Sequence, residues 1–120
     1  IIADAQTPLG TITIANTHLS FVPGYNVKQL RKLSKHLSDR ANLVLIIGDF
    51  NLPGKIANVV SRWDSLASLA TYPTFKPRIQ FDHIISKGLS KETIKQSRDS
   101  AQALPLAISD HCALVVEITE

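Results

Sequence analysis

Several polar residues sit where short apolar runs end, and their types suit one chemistry. Asn16-Thr17-His18-Leu19 closes a strand-like run, Gly48-Asp49-Phe50-Asn51 follows the apolar run Leu43–Ile47, and Ser109-Asp110-His111 opens the last apolar segment. Phe81-Asp82-His83-Ile84 places a carboxylate inside an apolar stretch. An ionised carboxylate in such a place is costly unless it is paired or bound to a metal. Segments of this kind recurring in one short chain point to a shared site at the rim of a sheet. Asp49 and Asp110 are hard oxygen donors suited to Mg²⁺ or Mn²⁺. His18 and His111 titrate near neutrality and suit acid and base roles. Asn51 lies two residues after Asp49, so in extended backbone both side chains share a side. There an amide orients a phosphate oxygen or a water without adding negative charge. This set points to phosphoryl chemistry. The chain has no glycine-rich phosphate loop, no Cys/His zinc spacing and no GxSxG elbow. Its only glutamates are Glu92, Glu117 and Glu120, which argues against a paired-Glu glycosidase site.

Each motif taken alone has a plainer reading. Asp-x-Asn-x-Pro-Gly is ordinary turn chemistry, His18 could be a satisfied core histidine, and Asp110 could cap a turn. For His83 the plainer reading is the one adopted, because it follows Asp82 directly and in a strand faces the other side. Cys112 alternates away from His111 and joins Leu114 and Val116 in the core. His36 reads as exposed on a helix and Trp63 as packing. Lys76 and Arg78 flank Pro77 just ahead of Asp82, a place from which they would contact a substrate phosphate.

The elements that must position these groups read as follows. Ile1–Ala5 and Leu9–Thr17 are strands joined by a hairpin at Gln6-Thr7-Pro8. Val27, Leu30, Leu33 and Leu37 recur at helical spacing, predicting a helix from Asn26, its N-cap, to about Arg40. Asn42–Ile47 is a β-branched run of the kind covered on both faces, and Lys55–Trp63 is a second, shorter helix. Thr71–Phe75 and Ile79–Ser86 are strands joined by the Lys76-Pro77-Arg78 bend. Lys91–Arg98, rich in charge, reads as an edge strand, and His111–Thr119 closes the chain as a strand. The class is α/β or α+β with a mixed sheet.

Composition bounds the answer further. A chain of 120 residues, 44% hydrophobic with formal net charge +3, is one folded domain and not a disordered segment. No apolar run approaches the roughly 20 residues that span a bilayer. One cysteine excludes an internal disulfide framework and fits a reducing compartment, the cytoplasm being favoured. The chain has no methionine and opens on Ile1-Ile2-Ala3, already strand-like, as a piece of something longer would. Much of the positive charge falls on Lys28, Arg31, Lys32, Lys35 and Arg40, read either as a solvated helix face or as a phosphate-binding patch.

The order NTHL, GDFN, TYPTFKPRIQFDHII, SDHCAL resembles the C-terminal half of the endonuclease/exonuclease/phosphatase superfamily. The resemblance implies half of a four-layer α/β sandwich: one mixed sheet with the helices Val27–Arg40 and Lys55–Trp63 on its outer face. It implies a Mg²⁺- or Mn²⁺-dependent phosphoesterase, nuclease or phosphatase, with water attacking in line. Asp49 and Asn51 would sit at the phosphate and the nucleophilic water, Asp49 also touching metal. Asp110 would bind the metal, and His111 would contact the scissile phosphate. Asp82 would hold the His111 imidazole, and His18 would protonate the leaving group. The superfamily's chief metal ligand, a glutamate of the N-terminal half, has no counterpart here, so the chain by itself is expected to be inactive. The substrate, among DNA, RNA, phospholipid head groups and small phosphoesters, stays open. A non-catalytic member binding nucleic acid through the basic helix is the alternative. With the partner sheet absent, Ile12, Ile14 and Val115 are expected on an exposed apolar face, where two copies would pack as a dimer.

Overall fold

A computed structural model describes residues 1–119. Strands β1 (Ile2–Thr7) and β2 (Gly10–Asn16) form an antiparallel hairpin. Its turn is held by the Thr7 hydroxyl, which accepts from Leu9 N at 3.1 Å and donates to Gly10 O at 2.8 Å. Helix α1 (Tyr25–Leu37) then crosses back so that β3 (Leu43–Asp49) pairs parallel to β2. After α2 (Ile56–Ser61) the short β4 (Asp64–Ser65) and β5 (Asp82–Lys87) complete a five-stranded mixed sheet in the order β1-β2-β3-β5-β4. Helix α3 (Lys91–Ser100) follows, and β6 (Gln102–Leu104) pairs with β7 (Ala113–Val115) as a separate two-stranded ribbon.

Alternation along β3 and β5 divides the apolar residues between the two faces of the sheet. Val44, Ile46 and Ile85 pack with Ala15 against Leu30 and Leu37 of α1 and Ala57 of α2, with Val27, Leu33, Val60 and Trp63 at the margin. Helices α1 and α2 thus cover one face, as the periodicity predicts. On the other face Ile12, Leu45 and Leu66 pack against Ile94 of α3, joined by Ile14, Ile47, Ile84, Val116 and Ile118.

That second cluster corrects two expectations. Lys91–Arg98 is no edge strand but the body of α3. Ser90 caps it by accepting from Thr93 N at 3.1 Å, Glu92 lies in its first turn, and Ile94 and Ser97 form its narrow buried stripe. Ile12 is buried and Ile14 half-buried within this cluster, and only Val115 is exposed. Four further readings change. Thr71–Phe75 is a loop with a single bridge between Tyr72 and Ile79, and the strand placed at Ile79–Ser86 begins at Asp82. The final strand shrinks to Ala113–Val115. Asn26 is not the N-cap of α1, which is Gly24 at φ 82°; Asn26 is buried inside the first turn. Among the described residues no helix is long and apolar enough to cross a membrane.

Candidate active site

Registry carries the apolar inner face of the sheet into a polar end. Ile47 pairs with Ile84, and on the same face Asp49 pairs with Asp82. Between them Gly48 pairs with His83, facing α1 and α2. Gly48 has φ 131°, and a Cβ there would lie 1.9 Å from Thr17 O. Only glycine lets the segment after β2 lie this close while Thr17 N donates to Ile47 O at 3.0 Å and Leu19 N to Asp49 O at 2.9 Å. His18 is delivered beside Asp49 by this close approach.

Asp82 is built into a small network. Its Oδ2 accepts from the buried Thr71 hydroxyl at 2.6 Å and from His111 Nδ1 at 2.7 Å. A carboxylate only accepts, so Nδ1 carries the proton and Nε2 faces outward. Nε2 lies 3.9 Å from Asp49 Oδ2, and His18 Nε2 lies 3.5 Å from the same oxygen. His18 is largely exposed, whereas Asp49, Asp82 and His111 are about four-fifths covered. Tyr72 lies against the His111 ring with centroids 5.0 Å apart. Burial works against the charged imidazolium of His111. The Asp82 hydrogen bond and the fields of Asp82, Asp49 and Asp110 outweigh it, so the His111 pKa rises above its ordinary 6.5.

Asn51 closes the strand exit, though not in extended backbone. Its φ is 49°, a left-handed conformation asparagine tolerates. Asn51 N donates to Asp49 Oδ1 at 2.8 Å, and its Nδ2 to Leu19 O at 2.9 Å. The shared-side expectation for Asp49 and Asn51 therefore gives way to a turn in which Asn51 braces Asp49. Asn26 adds a second brace, its Nδ2 donating to Asn51 O at 2.9 Å.

Asp49, Asp82 and His111 offer ligand atoms within 4.8 Å of one another, a candidate metal cluster. Asp110 stands outside it, exposed, with its backbone carbonyl accepting from Thr74 N at 2.7 Å. Lys76 and Arg78 lie exposed on the 71–79 loop, and no hydrogen bond or ion pair joins their side chains to the cluster among the described residues. His83 is 1% exposed, stacked on Phe50 at 5.1 Å, and its Nε2 donates to Leu52 O at 2.7 Å. Cys112 is buried. Sequence reasoning missed Thr71, Tyr72 and Asn26. Thr71 and Tyr72 belong to a segment read as a strand, and the asparagine was read as a cap; nothing local marks any of them as site neighbours.

No protein-family model matches the sequence, and no curated protein matches it. The fold is similar to that of an endonuclease/exonuclease/phosphatase from Beutenbergia cavernae, known from its crystal structure. The likeness has a TM-score of 0.52 at 15% sequence identity and covers 96% of this chain and 37% of that protein. The chain therefore has the endonuclease/exonuclease/phosphatase fold, an α/β sandwich architecture, over a span of about a third of that protein's length.

Proposed function

We propose that the chain is the C-terminal portion of a metal-dependent phosphoesterase, a nuclease or phosphatase, that hydrolyses its substrate by in-line attack of water. One observation carries this reading: Asp82 clamps His111 so that its Nε2 opens onto the same Asp49 oxygen that His18 approaches. Its raised pKa favours the charged form of His111, which offsets charge developing on the phosphoryl oxygens. Asp49 Oδ1 is held by Asn51 N, which leaves Oδ2 to orient the attacking water. His18, exposed on the outer side of Asp49, protonates the leaving oxygen. Lys76 and Arg78 extend from a loop tied to Asp110 by the Thr74 N–Asp110 O bond and meet the substrate's outer charge.

The donor chemistry fits a divalent cation. Asp49 Oδ2 and the Asp110 carboxylate make no hydrogen bond among the described residues, whereas Asp82 Oδ2 is taken by Thr71 and His111. Asp49 and Asp110 would hold Mg²⁺ or Mn²⁺, which when bound supplies a Lewis acid for the phosphoryl oxygens. The glutamates of the described residues, Glu92 and Glu117, are exposed and take no part in the candidate metal cluster. The remaining ligands come from an N-terminal portion of the same domain.

The test is hydrolysis of bis(4-nitrophenyl) phosphate with Mg²⁺ by the full-length protein. His111→Ala and Asp110→Ala should each lower turnover about 10³-fold with an unchanged circular dichroism spectrum. Wild-type turnover in either variant defeats this assignment of roles. Mn²⁺ should broaden the NMR signals of Asp49 and Asp110 first, and selective broadening elsewhere would move the metal.

A further inference from the structure

A cavity of 440 Å³ opens at the β4 edge of the sheet, where α2 and α3 meet β4 from opposite faces. None of His18, Asp49, Asp82 and His111 lines it. Its wall carries two cations, Lys55 and Arg98, and no acidic residue. Neither cation has an ion pair among the described residues. Arg98 is fixed, because its Nε donates to Ser65 O at 2.7 Å. That contact leaves the terminal guanidinium nitrogens free to grip an oxyanion.

Gln80, only 9% exposed, also lines the cavity. Its Nε2 donates to Ala67 O at 3.1 Å and to Asp82 O at 3.2 Å. Both partners are carbonyls that only accept, so the amide orientation is set by its neighbours. Oε1 has no hydrogen-bond partner among the described residues, yet it is not among the side-chain atoms sealed away from solvent. Gln80 thus brings an unpartnered acceptor to the cavity wall. A nearly buried acceptor of this kind calls for a donor, while the two unpaired cations call for negative charge.

We propose that this cavity binds a small phosphorylated sugar or polyol. Its phosphate sits between Lys55 and Arg98, and one of its hydroxyls donates to Gln80 Oε1. The two unpaired cations match a dianionic phosphate, and the volume lies in the range of small-molecule pockets. Carboxylates satisfy the cations less fully, and a bare phosphate lacks the separate alcohol hydroxyl that would reach Gln80.

NMR titration of the chain with ribose 5-phosphate, inorganic phosphate and ribose tests this. Ribose 5-phosphate should produce saturable shifts at the Ser65, Ala67, Ser68 and Gln80 amides. Inorganic phosphate should bind about tenfold more weakly, and ribose should give no shift at the same concentration. Lys55→Ala and Arg98→Ala should each weaken ribose 5-phosphate binding about tenfold. The Lys55 side chain is exposed and unbonded, so its removal spares the fold even if loss of the Arg98–Ser65 contact does not. Absence of saturable shifts at millimolar ribose 5-phosphate, or affinity unchanged by Lys55→Ala, overturns the site. Equal affinity for inorganic phosphate overturns the role of Gln80.

Discussion

Two imidazoles meet the first two residues of β5 from opposite faces of the sheet, and burial bears on both. On the inner face Asp82 accepts a hydrogen bond from His111 Nδ1. On the outer face His83 itself is sealed between Phe50 and the Leu52 carbonyl. Loss of water disfavours the charged form of each ring. For His83 burial wins over the Leu52 bond and the fields of Asp82 and Asp49, and its pKa falls. For His111, less deeply buried, the opposition is overcome by the Asp82 hydrogen bond and the fields of Asp82, Asp49 and Asp110, and its pKa rises. Depth of burial and a charged partner at hydrogen-bond distance together set the direction. The division extends across the ladder, with Asp49 opposite Asp82 and Gly48 opposite His83. One face of these rungs gathers the titratable groups, and the other holds the chain in place.

The largest effect should come from the holding face. Gly48→Ala would force a Cβ into the Thr17 carbonyl at a φ of 131° and should cost about 3 kcal/mol, read as a shift in the urea midpoint. A loss below about 1 kcal/mol would mean that the segment carrying His18 can move away freely. Next in size is Asp82→Asn on the other face. In the full-length protein it should lower phosphodiester turnover about 10²-fold, roughly 2.7 kcal/mol. In an NMR titration it should also bring the His111 pKa down toward or below 6.5. If His111 still titrates as high as in the parent, the fields of Asp49 and Asp110 raise it, and the contrast with His83 rests on something other than contact.

How much of this was legible in sequence depends on how local each feature is. The helix α1 and the strand β3 were readable because Val27, Leu30, Leu33 and Leu37 repeat at helical spacing and Leu43–Ile47 is unbroken. The helix α3 was not, because its burial rests on Ile94 and Ser97 alone among charged neighbours; the available sign was the Ser90–Thr93 cap. Simple alternation puts His83 on the face opposite Asp82. The contact between Asp82 and His111, 29 residues apart, is written in neither segment, and only the motif order suggested it. The site roles of Thr71 and Asn26 are hidden for the same reason. Each acts on a residue at least 11 positions away, through a hydroxyl or amide with no local signature.

The two histidines should also tilt the stability curve in opposite directions. A raised His111 pKa means that the folded state holds more protons than the unfolded chain above pH 6.5. Its contribution is therefore complete below 6.5 and lost as pH rises through the folded value. A lowered His83 pKa acts the other way: its contribution is complete above 6.5 and lost as pH falls toward the folded value. Between them stability should peak near pH 6.5, with His111→Asn flattening the alkaline limb and His83→Phe the acidic one. Urea unfolding across pH 5 to 8 checks this directly. An alkaline limb unaffected by His111→Asn would show that the Asp82 contact adds nothing to folding.

The smallest effect concerns the loop that serves both faces. Residues 49–52 supply Asp49 to the inner face and the Leu52 carbonyl to His83 on the outer one, and Asn26 ties that loop to α1 through Asn51 O. Asn26→Ala should cost about 1 kcal/mol, the net worth of one partly buried hydrogen bond. The informative measurement is its combination with His83→Phe. If the loop moves as a unit, removing either tether relaxes what the other restrains, and the double variant should depart from additivity by about 0.5 kcal/mol or more. Strict additivity would mean that the two faces are held independently, and that Asp49 can be repositioned without disturbing the ring behind it.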